Sequence, residues 1–246
     1  MTTCTLLPNL LKQLRLVSMR AHWAELVQKA EESRWTYEQF LTALCEIETA
    51  GQKQRKIQRN MLDAKLPIGK SLDTFRFSMA KSINSAQISS YAENTRWVNE
   101  AQNLLIFGPS GTGKTHLAAA IGKRLVEHGV RVLFAKTTIL VEKLHIANKE
   151  HKLADLLVKL ARFQLLILDD IGYVKKSESE TSVLFELIAD RYESGSLLIT
   201  SNHSFDQWDA IFPNNIMAVA AIDRIIHHAA IININEESYR RASRAK

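Results

Sequence analysis

Two cysteines in 246 residues, Cys4 and Cys45, are too few for a disulfide framework or a metal site of their own. A reducing compartment, the cytoplasm, is therefore expected. Cys45, between Leu44 and Ile47, reads as a small buried hydrophobe. No stretch reaches the roughly 18 uncharged apolar residues that a membrane-spanning helix needs. The first leucines follow no basic segment and precede no small-residue cleavage site, so a secretory signal is not expected. Internal repeats and low-complexity tracts are lacking too. What is left is ordinary for a globular chain, with 46% hydrophobic and 24% charged residues.

The charge has a marked distribution. The net value is +6, with Lys53, Arg55, Lys56 and Arg59 grouped in one segment and four more cations in the final SYRRASRAK. Phosphate backbones attract such clusters, with an affinity that falls steeply with salt. A solvated helix face would have the same composition. No base-reading motif accompanies the cations, so any duplex DNA contact is expected to be largely independent of sequence.

Three segments follow one another. Over residues 1–66, Leu6, Leu7, Leu10, Leu11, Leu14 and Val17, then Trp23, Leu26, Val27 and Ala30, recur at helical spacing. Thr36 and Gln39 have the form of a capping box that opens a further helix with Phe40, Leu41, Leu44 and Ile47 on one side. This predicts a small all-α domain that ends before Pro67. Residues 67–100 are mixed and polar and read as a connector with a helix near Ala86–Ala92. In residues 101–246, apolar runs at 103–107, 130–135, 165–168, 197–200 and 229–234 alternate with helical stretches. Fully apolar strands separated by helices predict a five-stranded parallel sheet covered on both faces, a three-layer α/β fold.

The first run leads straight into Gly108-Pro109-Ser110-Gly111-Thr112-Gly113-Lys114-Thr115, the pattern G-x-x-x-x-G-K-[ST] in its strand–loop–helix setting. Glycines let successive backbone N–H groups turn around a phosphate, and the following helix directs its positive end at the same anion. Lys114 can reach the β- and γ-phosphates, and the Thr115 hydroxyl can join a Mg²⁺ shell. His116, the next helical residue, is grouped with these nucleotide contacts. The pattern implies binding of a nucleoside triphosphate.

Leu165-Leu166-Ile167-Leu168 ends in Asp169-Asp170, two carboxylates at the C-terminal end of a strand, where ligands bind in open α/β sheets. Asp169 suits the metal shell opposite Thr115, and Asp170 suits the base that handles an attacking water. One strand between the loop and this acidic pair is the arrangement of the ATPase branch rather than that of the compact kinases and GTPases. Leu197-Leu198-Ile199-Thr200-Ser201 leads to Asn202, placed to hold the same water. Arg224, on an apolar helix, is a candidate arginine finger reaching a neighbouring subunit's nucleotide; a surface pair with Asp223 is the plain alternative. His227 and His228 face different ways if helical and read as packing or solvent residues, not a metal pair.

Taken together, GPSGTGKTHLAAAIG, LLILDDIGY, ADRYESGSLLITSN, AAIDRIIHHAAII and ESYR resemble the IstB-like ATP-binding proteins. These are AAA+ ATPases encoded with insertion-sequence transposases and related to the DnaC-type helicase loaders. The likeness runs over roughly residues 6–243 and includes the connector segment Leu72-Asp73-Thr74-Phe75-Arg76-Phe77. It implies ATP- and Mg²⁺-dependent homo-oligomers that bend or wrap duplex DNA and recruit a cognate transposase. It also makes Arg240 of the SYR segment a candidate nucleotide contact. Many AAA+ proteins carry Glu where Asp170 stands, so a shorter base and slow hydrolysis, regulated by DNA or partner, are expected. A replicative helicase loader shares this chemistry and is the main rival. A small-molecule kinase would need an Arg-rich lid and an acceptor pocket that the sequence does not show.

Overall fold

The computed structural model describes residues 6–80, 82–172, 178–203, 208 and 215–236. The chain folds as two units, Met1–Arg59 and Asn60–Lys246. The first is helical: α1 (Leu6–Gln13), α2 (Val17–Glu32) and α3 (Tyr37–Asp63), the last running across the divide. Between α1 and α2 the chain turns at Arg15, whose φ is 59°. The capping box forms as the sequence indicates. The Gln39 side chain accepts the Thr36 N–H at 2.8 Å, and Thr36 Oγ1 accepts the Gln39 N–H at 3.2 Å.

Of the leucine stripe, Leu11 and Leu26 are buried, while Leu6, Leu7, Leu10, Leu14 and Val17 are exposed. Cys45 is exposed as well, on the outer side of α3, contrary to its reading as a buried residue. A polar knot organises the unit instead. Buried Glu48 accepts the backbone N–H groups of Ser18 and Met19, and Arg55 pairs with it at 2.7 Å while donating to Ser18 Oγ at 2.8 Å. Burial pushes the Glu48 carboxyl up; the Met19 N–H, the Gln52 amide, the Ser18 N–H and Arg55 outweigh it and hold its pKa below the ordinary value. Arg55 is thus engaged internally, unlike the free surface cation that the charge cluster suggests.

The second unit begins earlier than Pro67. Asn60 donates to Gly129 O at 3.4 Å, and fully buried Ala64 offers its carbonyl to the Phe134 N–H at 2.8 Å. The helix predicted in the connector is α4 (Ser85–Glu93), capped by Asn84, whose Oδ1 accepts from the Ala86 and Gln87 N–H groups. After α5 (Arg96–Asn99) come β1 (Asn103–Phe107), α6 (Lys114–Glu127), β2 (Val132–Lys136), α7 (Thr137–Lys149), α8 (Leu153–Ala161) and β3 (Leu165–Asp169). α9 (Glu178–Arg191), β4 (Ser196–Ser201), α10 (Asn215–Ile226) and β5 (Ala229–Asn233) complete the order.

All strand pairings are parallel, in the order β2-β3-β4-β1-β5. Register aligns Leu105 with Ile199 and Ile231, and Ile167 with Phe134 and Leu198. One face of the sheet buries Leu104, Ile106 and Ile167 against Leu117, Ile121 and Leu125 of α6. The other buries Leu105, Leu166 and Leu168 against Leu144, Val183, Leu184 and Ile225. Strands apolar on both sides demand this double cover, because each fully buried Leu or Ile stabilises by about 1.5–3 kcal/mol relative to exposure.

Candidate nucleotide-binding site

β1 stops at Phe107 because Gly108 opens a loop that carries the chain to α6. Gly113 caps that helix with φ of 99°, a conformation that a side chain disfavours, and a Cβ there would lie 3.0 Å from the Phe75 ring. Lys114 is nearly buried, and its ammonium donates to Gly108 O at 2.7 Å and Pro109 O at 2.9 Å. Thr112 Oγ1 also donates to Pro109 O. The cation thus lies over the loop, beside the first N–H groups of α6, which have no partner within the helix.

Asp169 ends β3 and is 5% exposed. Its Oδ1 accepts from Thr200 Oγ1 at 2.8 Å and its Oδ2 from Thr115 Oγ1 at 3.2 Å, while its carbonyl accepts from Thr137 Oγ1. The Thr200 hydroxyl in turn accepts the Asp170 N–H at 2.8 Å. This chain of bonds ties the Asp169 carboxylate and the Asp170 backbone to Thr200 of β4. The carboxylate of Asp169 beside the Thr115 hydroxyl is an oxygen pair of the kind Mg²⁺ takes, so the donor set fits that ion.

Asp170 itself adopts φ of 63°, a left-handed conformation that Asp tolerates better than most residues. Its carboxyl has a pKa above the ordinary 3.8: burial and then the Asp169 charge raise it, and Lys114 and His203 oppose them only in part. Across from it, the Asn202 amide oxygen is buried without a hydrogen-bond partner, the condition of a polar atom that awaits a ligand. A cavity of about 710 Å³ joins these groups. Its walls include Ser110 through His116, Asp170, Thr200 and Asn202 on one side and the connector residues Lys70, Phe75, Arg76 and Met79 on another.

The structure therefore gathers Ser110–His116, Asp170 and Asn202 around one space, with Asp169 beneath it and Gly108 and Pro109 reached through Lys114. His116 lines that space, yet its Nε2 is committed to the connector, donating to Ser71 O at 3.0 Å. Arg224 lies elsewhere. It borders Asn103, where β1 begins, and His228, just before β5, at the opposite end of the strands. Its guanidinium is 5.1 Å from the Phe185 ring centre, and Nη1 donates to Ala220 O at 3.3 Å. No ion pair joins it to Asp223 among the described residues.

Arg240 lies outside the described residues. His227 and His228 sit in the turn after α10, not in a helix, with rings 4.1 Å apart and His227 Nδ1 at 3.1 Å from Tyr192 Oη. No metal-ligating cluster occurs among the described residues. Thr200 escaped the sequence reading as a positioning group, although a hydroxyl inside an otherwise apolar strand was the available signal. No helix among the described residues is long and apolar enough to cross a membrane.

A Gly-rich loop between β1 and α6, acidic residues at the end of β3 and the strand order β2-β3-β4-β1-β5 define a P-loop domain of the AAA+ class. The chain belongs to the IstB-like ATP binding proteins, whose family profile matches residues 9–246. An insertion sequence ATP-binding protein of Sinorhizobium fredii is 46% identical over 234 residues, covering 95% of this chain and 78% of the relative. The insertion sequence IS21 ATP-binding protein of Pseudomonas aeruginosa is 35% identical over 237 residues, 96% of this chain and 89% of its own. Among solved structures, the DnaC helicase loader superposes with a TM-score of 0.58 at 25% identity, over 68% of this chain and 97% of that one. AMPPCP-bound DnaA from Aquifex aeolicus gives 0.57 at 19% identity, over 72% and 53%; this second likeness is one of fold alone.

Proposed function

We propose that this ATP-binding protein is a slow ATPase switch that assembles on duplex DNA and delivers a transposase to it. The observation that carries the reading is the single cavity in which the phosphate loop, the Asp170 carboxyl and the unpartnered Asn202 oxygen meet. Lys114 turns from the loop carbonyls to the β- and γ-phosphates of ATP. Thr115 and Asp169 are the residues that would hold Mg²⁺, which when bound would neutralise phosphate charge. Asn202 Oδ1 accepts one O–H of the attacking water. Asp170 accepts the other proton as the water oxygen bonds to the γ-phosphorus and the bond to the ADP oxygen breaks. A raised pKa makes Asp170 a better proton acceptor than an ordinary aspartate.

Arg224 is too far around the sheet to serve its own nucleotide, which supports a role on the next subunit's γ-phosphate. Assembly thereby becomes ATP-dependent, and an oligomer adds its cationic patches along one duplex. The names of the relatives, insertion sequence ATP-binding proteins, support a transposase as the protein partner. The exposed leucines of α1 offer the first unit's apolar contact for it. The likeness to the DnaC helicase loader favours a second reading, in which that contact grips a helicase.

Electron microscopy of the protein with duplex DNA and a non-hydrolysable ATP analogue tests the proposal. Regular oligomers on DNA that require the nucleotide are expected, together with capture of the transposase encoded beside the gene. Monomers unaffected by nucleotide, or a helicase bound in place of the transposase, would overturn it.

A further inference from the structure

The connector forms more than a link. Residues 69–80 run along the mouth of the cavity, and Lys70, Thr74, Phe75, Arg76 and Met79 line it. The apolar side of this strap is anchored, with Leu72, Phe75 and Phe77 packed on the α6 face of the core and the Phe75 and Phe77 rings edge to face at 4.8 Å. Its polar side is tied by one residue of the phosphate-loop helix. His116 Nε2 lies 3.0 Å from Ser71 O and 3.1 Å from Thr74 Oγ1. Because a carbonyl only accepts, Nε2 carries the proton.

Thr74 organises the turn that receives it. Its hydroxyl accepts the Ser71 N–H at 3.0 Å and has its single proton within reach of two carbonyls, Ser71 O at 3.0 Å and Gly69 O at 3.1 Å. The His116 ring also meets the Phe75 ring edge to face at 5.4 Å, and Phe75 in turn covers Gly113. The histidine next to the metal-shell threonine is therefore spent on the strap.

We infer that His116 is a positioning residue that latches the connector over the bound nucleotide, so that it governs how long the nucleotide stays rather than contacting it. This rests on the cavity being the ATP site. A strap held at one wall by a hydrogen bond lowers the rate of nucleotide escape, and a loosened strap raises it. The same latch couples the first turn of α6 to the segment that carries the N-terminal unit.

The test uses full-length protein, with binding and dissociation of a fluorescent ATP analogue measured for the natural protein and for His116→Leu, His116→Gln, Thr74→Val and Lys114→Ala. Loss of one such hydrogen bond is expected to weaken binding about tenfold in His116→Leu and Thr74→Val, mostly through faster dissociation. His116→Gln, whose amide N–H reaches the same position, is expected to recover most of that loss. Trypsin cleavage after Lys70 and Arg76 should rise in the Leu variant and fall again when the analogue is added, while unfolding temperatures stay alike. Unchanged dissociation in both Leu and Val variants, or a Gln variant as weak as Leu, overturns the latch. Full binding by Lys114→Ala would instead overturn the cavity as the ATP site.

Discussion

Asp170 carries the sharpest consequences of any one residue. The folded protein favours its neutral form, because burial and Asp169 oppose its charge more than Lys114 and His203 relieve it. The proposed base works in its ionised form, so on that reading the rate at saturating ATP should fall as pH drops through a midpoint above the ordinary carboxylate value. Initial rates across an acidic pH series locate that midpoint. Asp170→Asn should retain ATP and lose turnover by about 10²–10⁴-fold, the usual worth of a general base; a variant as fast as the natural protein would remove Asp170 from that role. The same physics predicts a gain in stability. Ionising Asp170 at neutral pH costs folded-state free energy that is recovered as pH falls, so Asp170→Asn without nucleotide should melt higher at pH 7. The increment is on the order of 2–4 °C per kcal/mol relieved, and the difference should shrink toward acidic pH in calorimetric scans.

Among the elements, the junction between α9 and β4 depends on one buried cation. Arg191, 2% exposed, donates to Phe163 O at 2.6 Å, Gln164 O at 2.9 Å and Ser196 O at 2.9 Å, joining the end of α9 to the starts of β3 and β4. Burial lowers its pKa to about 10 against the weaker support of Asp190, which still leaves it charged at neutral pH. Gly195 permits this, since a Cβ there would overlap the guanidinium. The DRYESGS segment is therefore a clamp on the sheet. Arg191→Met should remove the guanidinium's bonds to these three carbonyls, of which Gln164 O keeps the Ser196 N–H, and lower stability by about 3 kcal/mol. Gly195→Val should act in the same direction by pushing the guanidinium away. Chemical denaturation of both variants checks this, and a loss below about 0.5 kcal/mol in each would exclude the clamp. None of this was legible beforehand, because the acceptors are backbone carbonyls that any residue supplies. The strands, the Thr36–Gln39 cap and the start of α6 were legible because each rests on neighbours in the chain.

For the whole molecule, the oligomer and the duplex are one question. Mixing Arg224→Ala with Lys114→Ala protein should restore part of the ATPase activity that each lacks alone, because one mixed interface joins an intact loop to an intact arginine. Full hydrolysis by a protein that sediments as a monomer would end the idea of a finger acting between subunits. On DNA, affinity measured against salt should show the slope fall by about one for each of Lys53, Lys56 and Arg59 replaced by Ala. Arg55→Ala should act otherwise. With the buried Glu48 carboxylate left unpaired, it should lower the stability of the helical unit and change the slope little. An equal slope change for all four would mean that the Glu48 pair opens on DNA.

The sequence by itself determined the alternation of apolar strands and helices, the phosphate loop, the acidic pair at the end of β3 and the family. Each of these is written in contiguous residues whose spacing is the structure's own period. Only the tertiary structure decided the rest. It turned Arg55 inward, left Cys45 and Leu6, Leu7 and Leu10 of α1 outside, set the His227 and His228 rings at a tilt to each other in a turn, and spent His116 on the connector. It also closed the path from Thr115 through Asp169 and Thr200 to Asp170. The bonds of His116 to the connector and those from Thr115 to Asp170 join residues 30 or more positions apart, so no local period records them. Their stability comes from burial and hydrogen bonding that exist only once the sheet is assembled.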